Sequence, residues 1–326
     1  MRRHEKTPPA PPIQPGPVRH PERSSRIVAV VLNYRTPHDT IRAVRSVEAS
    51  HCPLSAVIVV DNGSEDGSAD LLARELPGTE LMVAVENGGF SAGCNLGIRE
   101  ALRLGADRVL LLNSDVVVPP DAVGALEHML GCSPDLGIVA PILVSRSHPD
   151  AVQSLGISYS ATTCRMWHHG YGALRTTLPP FELRDVDGVS GCAMLIKREV
   201  IERIGLLTEE YFFGFEDLDF CLRARIAGFR TACVGTAVVL HEGSVSIGRK
   251  SLRRIYFATR NHLLLASRLA TRRSPFASSA RAVAIVTLNL AHVLLTSDVP
   301  FQNGLRGLVR GVRDHFAGRY GPGPYQ

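Results

Sequence analysis

Four short apolar segments, separated by stretches with helical spacing, constrain the fold of this chain most strongly. They are RIVAVVLNY, AVIVVDNGS, TELMVAVEN and RVLLLNSD, at 26–34, 56–64, 79–87 and 108–115. Three stretches between them carry apolar residues at a helical period, namely 36–49, 68–75 and 91–104. Strands that are apolar on both faces and alternate with helices are typical of a parallel sheet with helices on both sides. The sequence therefore predicts an α/β fold.

Polar side chains follow each predicted strand, and the carboxyl ends of parallel strands meet at one edge of a sheet. The clusters are Asn33-Tyr34, Asp61-Asn62-Gly63, Glu86-Asn87-Gly88-Gly89 and Asn113-Ser114-Asp115. Asp61 is suited to bind a base or ribose, or to form a helix N-cap or an Asx-turn. The glycine-rich stretch 87–93 is suited to a phosphate or to an ordinary turn. A divalent cation on a diphosphate needs few protein ligands, so oxygens of Asn113 and Asp115 would suffice.

The first strand-to-helix turn argues against two other nucleotide-binding classes. The turn from Asn33 to His38 contains no glycine, and the chain has neither a GxGxxG nor a P-loop pattern. A dinucleotide-binding oxidoreductase is therefore disfavoured. The stretch VVLNYRTPHDT also lacks the basic, glycine-rich signature of a sugar nucleotidyltransferase.

The second half of the chain contributes an acidic cluster and a histidine. The stretch 136–189 is irregular and predicts short strands and loops, with Trp167-His168-His169-Gly170 in a loop. A strand and helix at 191–205, a helix at 215–227 and a strand at 229–243 follow.

The acidic cluster begins the helix at 215–227. Asp219 is placed to pair with Arg223 one helical turn later, and the acids together compensate the helix dipole. Glu216 and Asp217 follow an aromatic run, so one of them is a candidate base. His241 ends the next strand and is either a structural histidine or a metal ligand.

Both ends of the chain have a distinct composition. Residues 1–25 are rich in proline and charge without an apolar core, which predicts a disordered arm rather than a signal peptide. Beyond residue 249 the chain is helical and basic: no Asp or Glu lies between Glu242 and Asp298, where nine Lys and Arg occur. The apolar stretch 282–296 is short for a membrane span and predicts a buried or interfacial helix.

Seven scattered cysteines predict reduced thiols in a cytosolic protein.

A stripe on the first C-terminal helix has two interpretations. Its apolar members are Leu252, Ile255, Tyr256 and Leu263, and the arginines around it are Arg253, Arg254 and Arg260. The stripe either packs an ordinary helix on the core, or forms a basic surface for anionic lipid or a lipid-diphosphate acceptor.

Taken in order, these motifs resemble the inverting glycosyltransferases of family 2, which have the GT-A fold. The resemblance runs from about Arg26 to Gly248 through VVLNYRTPHDT, VIVVDNGSEDGS, ENGGFSAGCNLGI, VLLLNSDVVVPPDAV, VSGCAMLIKREVIERIGLLTEEYFFGFEDLDFCLRARIAGFR and VVLHEGSVS. It implies a mostly parallel central sheet flanked by helices. A Rossmann-like nucleotide-sugar half would occupy 26–118, an acceptor half 119–248, and a helical extension 249–326.

The resemblance also implies roles for single residues. Asp61 would recognise the base, and the other nucleotide-sugar contacts would be Asn33, Tyr34, Asn87, Gly88, Gly93, Asn95, Asn113 and Ser114. Asp115 is the metal-binding member of the family's Asp-x-Asp motif, and His241 matches a histidine that helps hold the metal in some members. Asp217, beside Glu216 in the Glu-Asp motif, would be the catalytic base. Asn113 replaces the first aspartate of the metal motif, so metal binding without substrate is expected to be weak.

The activity that the resemblance implies is transfer of a sugar from a nucleotide-sugar with Mn²⁺ or Mg²⁺. Within the family the chain resembles the bacterial rhamnosyltransferase-like group, which makes dTDP-rhamnose the first expected donor and UDP-sugars the second. The acceptor would be a cell-envelope polysaccharide or lipid-linked glycan, with no nucleic acid partner. A cytoplasmic location is expected, with peripheral membrane contact through 249–281. The alternative is a non-catalytic glycosyltransferase-like scaffold, which would not need Asp217.

Overall fold

The computed structural model describes residues 25–161, 163–243, 251–269, 275–295 and 299–324. The arm predicted at 1–25 lies outside these residues except for Ser25, and so do Arg249 and Lys250. In the part of the chain that is described, ten strands form one sheet and two short strands form a second.

The first half alternates strands and helices as predicted. Its elements are β1 (Ile27–Asn33), α1 (Pro37–Glu48), β2 (Ala56–Asp61), α2 (Ser68–Glu75), β3 (Glu80–Val83), α3 (Gly89–Arg103) and β4 (Arg108–Asn113). Strands β1, β2 and β4 are almost wholly buried, because helices cover both faces of the sheet. The prediction for β3 is wrong in one respect: this edge strand is partly exposed, and Val83 lies on the surface.

The second half completes the sheet. It contains β5 (Val116–Val117), α4 (Ala122–Cys132), β6 (Leu136–Ser145), β7 (Val152–Ser154), β8 (Ile157–Tyr159), β9 (Met166–His168), β10 (Leu183–Asp185), β11 (Ala193–Lys197), α5 (Arg198–Ile204), α6 (Glu216–Ile226) and β12 (Arg230–His241). The expected irregularity of 136–189 is wrong at its start, where β6 is a buried ten-residue strand. Pro141 obscured this strand in the sequence, and the paired β12 shifts its register beside that proline. Trp167 and His168 lie in β9 rather than in a loop.

The strand order is β10-β12-β6-β11-β4-β1-β2-β3. The pairs β1–β2, β1–β4, β2–β3 and β6–β12 are parallel, and β11 runs antiparallel between β4 and β6. The predicted α/β fold with a mostly parallel sheet is confirmed. The short β5 pairs antiparallel with the end of β12, which sets Val116 beside His241.

Three helices follow, α7 (Leu252–Arg268), α8 (Pro275–Leu295) and α9 (Phe301–Phe316). The stripe on α7 packs inside the protein: Ile255, Tyr256 and Leu263 are buried, and Arg260 is completely enclosed. The interpretation as a helix packed on the core is confirmed for these residues, and contact of Arg253 or Arg254 with lipid or a lipid-diphosphate acceptor stays a prediction.

Helix α8 is longer than the apolar stretch that predicted it. Its segment Ala277–Leu295 is 19 residues long, and the most apolar 18-residue window within it is only 17% buried. The expectation that this stretch is too short for a membrane span is therefore wrong on length. Length and composition alone would let it cross a bilayer, although core helices of soluble proteins also satisfy these criteria.

Candidate active site

A cavity of about 290 Å³ opens where β1 and β4 end, near the start of α6 and the end of β12. Eight of the residues predicted from the sequence line it: Tyr34, Asn87, Asn113, Ser114, Asp115, Glu216, Asp217 and His241. Such a position, outside the carboxyl ends of parallel strands, is where α/β sheets bind ligands. The strand-end clusters and the acidic helix therefore meet in one place.

Asp115 and His241 face each other in this cavity because β5 pairs with the end of β12. The Asp115 Oδ1 atom lies 3.4 Å from His241 Nε2, and both side chains are largely buried. Gln153 Nε2 donates to the His241 carbonyl, which leaves Gln153 Oε1 to accept from His241 Nδ1 at 2.6 Å. With Nδ1 protonated, a neutral imidazole presents its Nε2 lone pair toward Asp115.

Neighbouring charges shift the pKa values of both His241 and Asp115. Burial disfavours the imidazolium, but Cys192 and the Asp115 carboxylate favour it more, so the pKa of His241 is raised above its ordinary value. Burial opposes ionisation of Asp115 as well, yet His241 and backbone N–H groups lower the pKa of that carboxyl. Two groups that stabilise each other as an ion pair would also hold a divalent cation in place of the proton.

The donor set fits a divalent cation that takes part of its coordination from elsewhere. Asn113 Oδ1 is buried and accepts no hydrogen bond within the described residues. Asn113 lines the same cavity as Asp115 and His241, and this oxygen would be the third donor atom of such a site. No group of three or more His, Cys, Asp or Glu side chains with an arrangement that could hold a metal ion occurs in the described ranges. A hard cation would therefore need additional oxygens, such as those of a diphosphate.

Glu216 and Asp217 occupy the first turn of α6. Asp217 Oδ2 accepts from Gly191 N at 3.0 Å, and Oδ1 accepts from Leu218 N at 2.8 Å. Burial raises the pKa of Asp217 above its ordinary value, although those backbone donors oppose the shift. A base with a raised pKa that stays partly accessible at a cavity wall suits proton abstraction near neutral pH. Asp219 is fully buried instead, and its predicted pairing with Arg223 is confirmed at 2.8 Å.

Glu216 is the more strongly perturbed carboxyl. Its Oε2 atom is buried and has no hydrogen-bond partner within the described part of the chain. Burial, followed by the charge of Asp217, raises the pKa of Glu216 to about 8. The folded protein therefore keeps a proton on Glu216 that the unfolded chain releases, from the ordinary pKa of 4.5 up to about 8.

We expect Glu216→Gln to become progressively more stable relative to the wild type as pH rises. Between these two pKa values the unfolded chain releases the proton and the folded protein keeps it, so the free energy of unfolding of the wild type falls as pH rises. Gln has no proton to release, so the variant does not lose this stability. The gain between about pH 5 and pH 8 should be on the order of a few kcal/mol. Denaturant unfolding at both pH values measures it, with the exposed Glu182→Gln as control. An equal difference at both pH values would contradict the buried, protonated Glu216.

Helix α7 fixes the loop that precedes these acids. Asn261 Nδ2 donates to the carbonyls of Tyr211, Phe213 and Gly214 at 2.8–3.0 Å. The Arg260 guanidinium donates to the carbonyls of Glu210, Tyr211 and Gly321. The loop conformation is intrinsically unfavourable, because Phe212 and Phe215 both have a positive φ, which bulky residues rarely adopt. These two buried side chains therefore hold a strained loop at the cavity.

Replacing Asn261 by Ala should cost about 1–3 kcal/mol of stability, since the Phe213 and Gly214 carbonyls lose this donor while the Tyr211 carbonyl keeps Arg260. It should also lower kcat more than it raises KM for the donor, because the loop leads directly into Glu216 and Asp217. Ser267→Ala, which removes a side-chain hydrogen bond on the same helix, is the matched control. Steady-state kinetics below the unfolding transition separate the two effects, and an unchanged kcat would contradict the positioning role.

Several predicted nucleotide-sugar residues do not line the cavity. Asn33 Nδ2 donates to Asp61 Oδ1 at 2.5 Å, and Ser64 donates to the same carboxylate from N and Oγ. Asp61 thus forms the local turn that was its alternative interpretation. Asn95 joins α3 to Leu207, with hydrogen bonds in both directions.

The two predicted glycines serve the packing of α3. A Cβ atom on Gly93 would overlap Leu32, and one on Gly88 would lie 2.7 Å from Ala92 Cβ. Glycine at these positions therefore allows the helix to approach the sheet and to begin its first turn.

The sequence did not identify several lining residues: Phe90, Ser190, Gly191, Cys192, Phe212, Phe213 and Arg253. Cys192 Sγ lies 3.4 Å from His241 Nε2, a proximity that no spacing in the sequence signals. Arg253 was noted only as part of the α7 stripe, yet it reaches the cavity with a buried Nε that has no partner among the described residues. The aromatic run before Glu216 was the one available signal, and it supplies Phe212 and Phe213.

Comparison with known proteins gives consistent matches. The sequence model of a family described as "Glycosyltransferase like family 2" matches residues 25–263. An N-acetylglucosaminyl-diphospho-decaprenol L-rhamnosyltransferase of Mycobacterium tuberculosis is 27% identical over 220 residues, 62% of this chain and 70% of that protein. The dTDP-rhamnosyl transferase RfbF of Shigella flexneri is 24% identical over 319 residues, 89% of this chain and 99% of that protein. The mannosyltransferase PcManGT of Pyrobaculum calidifontis, solved with GDP-Man and Mn²⁺, superposes with a TM-score of 0.54 at 16% identity, over 91% of this chain and 88% of that one.

Proposed function

Because the chain belongs to the glycosyltransferase-like family 2, as its ordered motifs predict, we propose that it is an inverting transferase that uses a nucleoside-diphosphate sugar. The GT-A fold expected from the motifs is the observed one, by likeness to the mannosyltransferase structure. One observation carries the proposal: Asp115, His241 and Asp217 come from three distant segments and line one cavity.

The donor's diphosphate is proposed to lie beside Asp115, His241 and Asn113. When bound, Mn²⁺ or Mg²⁺ would neutralise the charge on the diphosphate leaving group. Arg253 adds a fixed positive charge at the same cavity, and its planar guanidinium suits phosphate oxygens. Because relatives include a dTDP-rhamnosyl transferase, dTDP-rhamnose is the first proposed donor and a UDP-sugar the second.

Asp217 is proposed to act as the general base. Its carboxylate accepts the proton of an acceptor hydroxyl while that oxygen attacks the anomeric carbon. The bond from the anomeric carbon to the diphosphate breaks as the new bond forms, so a single displacement inverts the configuration. The backbone N–H groups of Gly191 and Leu218 orient the carboxylate for this step. Glu216, kept protonated by burial, limits the negative charge beside it.

The acceptor is proposed to be a hydroxyl of a cell-envelope or lipid-linked glycan. This choice follows the Mycobacterium tuberculosis relative, whose name specifies a diphospho-decaprenol acceptor. The enzyme would then work in the cytoplasm at the inner face of the plasma membrane. A non-catalytic scaffold would keep the nucleotide cavity but would have no use for an oriented base, so Asp217 favours the enzyme.

Turnover of a panel of dTDP-, UDP- and GDP-sugars, with Mn²⁺ and with a chelator, tests the proposal. Release of nucleoside diphosphate and formation of a glycosylated lipid-diphosphate acceptor are followed together. We expect metal-dependent transfer from one class of donor. Tight nucleotide binding without turnover of any donor, across several acceptors, would support the scaffold instead.

A further inference from the structure

Helix α9 exposes a row of apolar side chains. Its members Phe301, Leu305, Val309 and Phe316 are 52%, 36%, 54% and 69% exposed. They recur at helical spacing and therefore share one side of the helix. The opposite side packs on α7 through glycines: a Cβ on Gly307 would lie 2.9 Å from the Leu252 carbonyl oxygen. This close packing fixes which side of α9 faces outward.

Arginines border the apolar row. Arg306, Arg310 and Arg313 are exposed on the adjoining side of α9. The acid of this helix, Asp314, is buried and engaged by Tyr256, Arg319 and the Nε atom of Arg313. The exposed side of α9 therefore has apolar and cationic side chains with no acidic ones.

Helix α8 extends this surface. Val283, Leu294 and Leu295 are exposed, and the segment 282–295 contains no Asp, Glu, Lys or Arg. Between α7, α8 and α9 lies a groove of about 580 Å³, with Leu263, Ala282 and Val286 among its walls. Two helices thus combine exposed apolar side chains with a groove that has apolar walls.

The same region is connected to the active site. Helix α7 carries Arg253 at the catalytic cavity and Leu263 at the groove, ten residues further along. At 1.5 Å per residue, the two positions are about 15 Å apart along one rigid helix. A surface that contacts the groove would therefore lie at a fixed, short distance from the catalytic cavity.

We propose that the exposed side of α8 and α9 docks on an anionic lipid bilayer. An apolar row bordered by arginines is the composition of helices that lie in the membrane interface, where cations meet lipid phosphates. A second copy fits less well, because a two-fold interface built on α9 would bring the like-charged arginines that border the row on both copies close together. The inference deepens the proposed function, on which its role rests, since a lipid-linked acceptor would lie in the same bilayer.

Flotation of the full chain with vesicles tests the docking without any need for turnover. The vesicles are phosphatidylcholine alone, or phosphatidylcholine with phosphatidylglycerol. We expect binding to the anionic vesicles, and weakening by about tenfold or more in Phe301→Ser/Val309→Ser, because each side chain loses apolar burial. Arg306→Gln should lose about fivefold on the anionic vesicles. The matched control is Val85→Ser/Ile226→Ser, two apolar side chains 94% and 72% exposed elsewhere.

Three results would overturn the docking surface. The first is binding that is absent, or that falls equally in the control and in the α9 variants. The second is a dimer that light scattering detects in the wild type and not in Phe301→Ser/Val309→Ser, with no vesicle binding. The third is protein that resists extraction by alkaline carbonate, which would indicate that α8 spans the bilayer. Failure of the donor panel with intact vesicle binding would overturn the proposed function and leave the surface standing.

Discussion

Replacing Asp217 by Asn should lower kcat by about 10²–10⁴-fold, the range for loss of a general base. The amide is nearly the same size and its one oxygen can still accept from Gly191 N, although the bond from Leu218 N is lost, so the fold and the donor affinity should be largely preserved. It cannot take a proton from the acceptor. Initial rates of transfer at saturating donor measure the effect, and nucleotide binding by calorimetry checks that the cavity is intact.

The pH dependence of the wild type gives a second measurement of the same carboxyl. Burial raises the pKa of Asp217, so the active carboxylate is lost as pH falls through a value above the ordinary 3.8. The acid limb of the kcat profile should therefore lie at a higher pH than for an exposed aspartate, and it should vanish in the variant. Asp121→Asn is the control, since that side chain is exposed and contacts His51. Full transfer activity in Asp217→Asn would exclude Asp217 as the base.

Replacing Asp115 by Ala should lower kcat/KM by at least about 10²-fold, because stabilisation of the leaving group by a metal ion is worth several kcal/mol. Of the three groups proposed to hold the metal, Asp115 is the one carboxylate, and His241 and Asn113 remain in the variant. Mn²⁺ binding measured by electron paramagnetic resonance, with and without nucleoside diphosphate, provides a readout independent of turnover.

The wild type should bind Mn²⁺ weakly alone and much more tightly with the nucleotide present. This follows because the described residues offer one carboxylate, one imidazole and one uncharged amide oxygen, with no larger acidic cluster. Asp115→Ala should lose the nucleotide-dependent binding, whereas Asp121→Ala should keep it. Tight Mn²⁺ binding to the nucleotide-free protein, dependent on Asp115, would contradict this account of the site.

The general position of the site could be predicted from the sequence, because it depends only on where the parallel strands end. Parallel strands end at a common edge, so the polar residues after β1 and β4 had to lie near one another. The rule does not say which way each side chain turns. The β1–β2 register places Asn33 opposite Asp61, and the two bind each other instead of facing the cavity. Motif resemblance selected both residues, but only the register shows how they are engaged.

Contacts between distant segments could not be derived from the sequence. Asp115 meets His241 because a two-residue strand pairs with the end of β12, and so short a strand has no sequence signal. Arg260 looked like a surface arginine because its position among charged and apolar neighbours suits either environment. Its burial follows from carbonyls of the loop at 210–211 and of Gly321, which close around the guanidinium. Such partners become apparent only when the whole chain is folded.

The anomeric configuration of the product tests the central claim most directly. In the proposed single displacement, Asp217 deprotonates the acceptor and no group of the protein bonds to the sugar. NMR of the purified product, compared with the donor, gives the configuration from the one-bond coupling between the anomeric carbon and its proton. The account predicts that the wild type forms a product whose anomeric configuration is opposite to that of the donor. The Asp217→Asn variant should form little or none of this product. A product that retains the donor's configuration would contradict it.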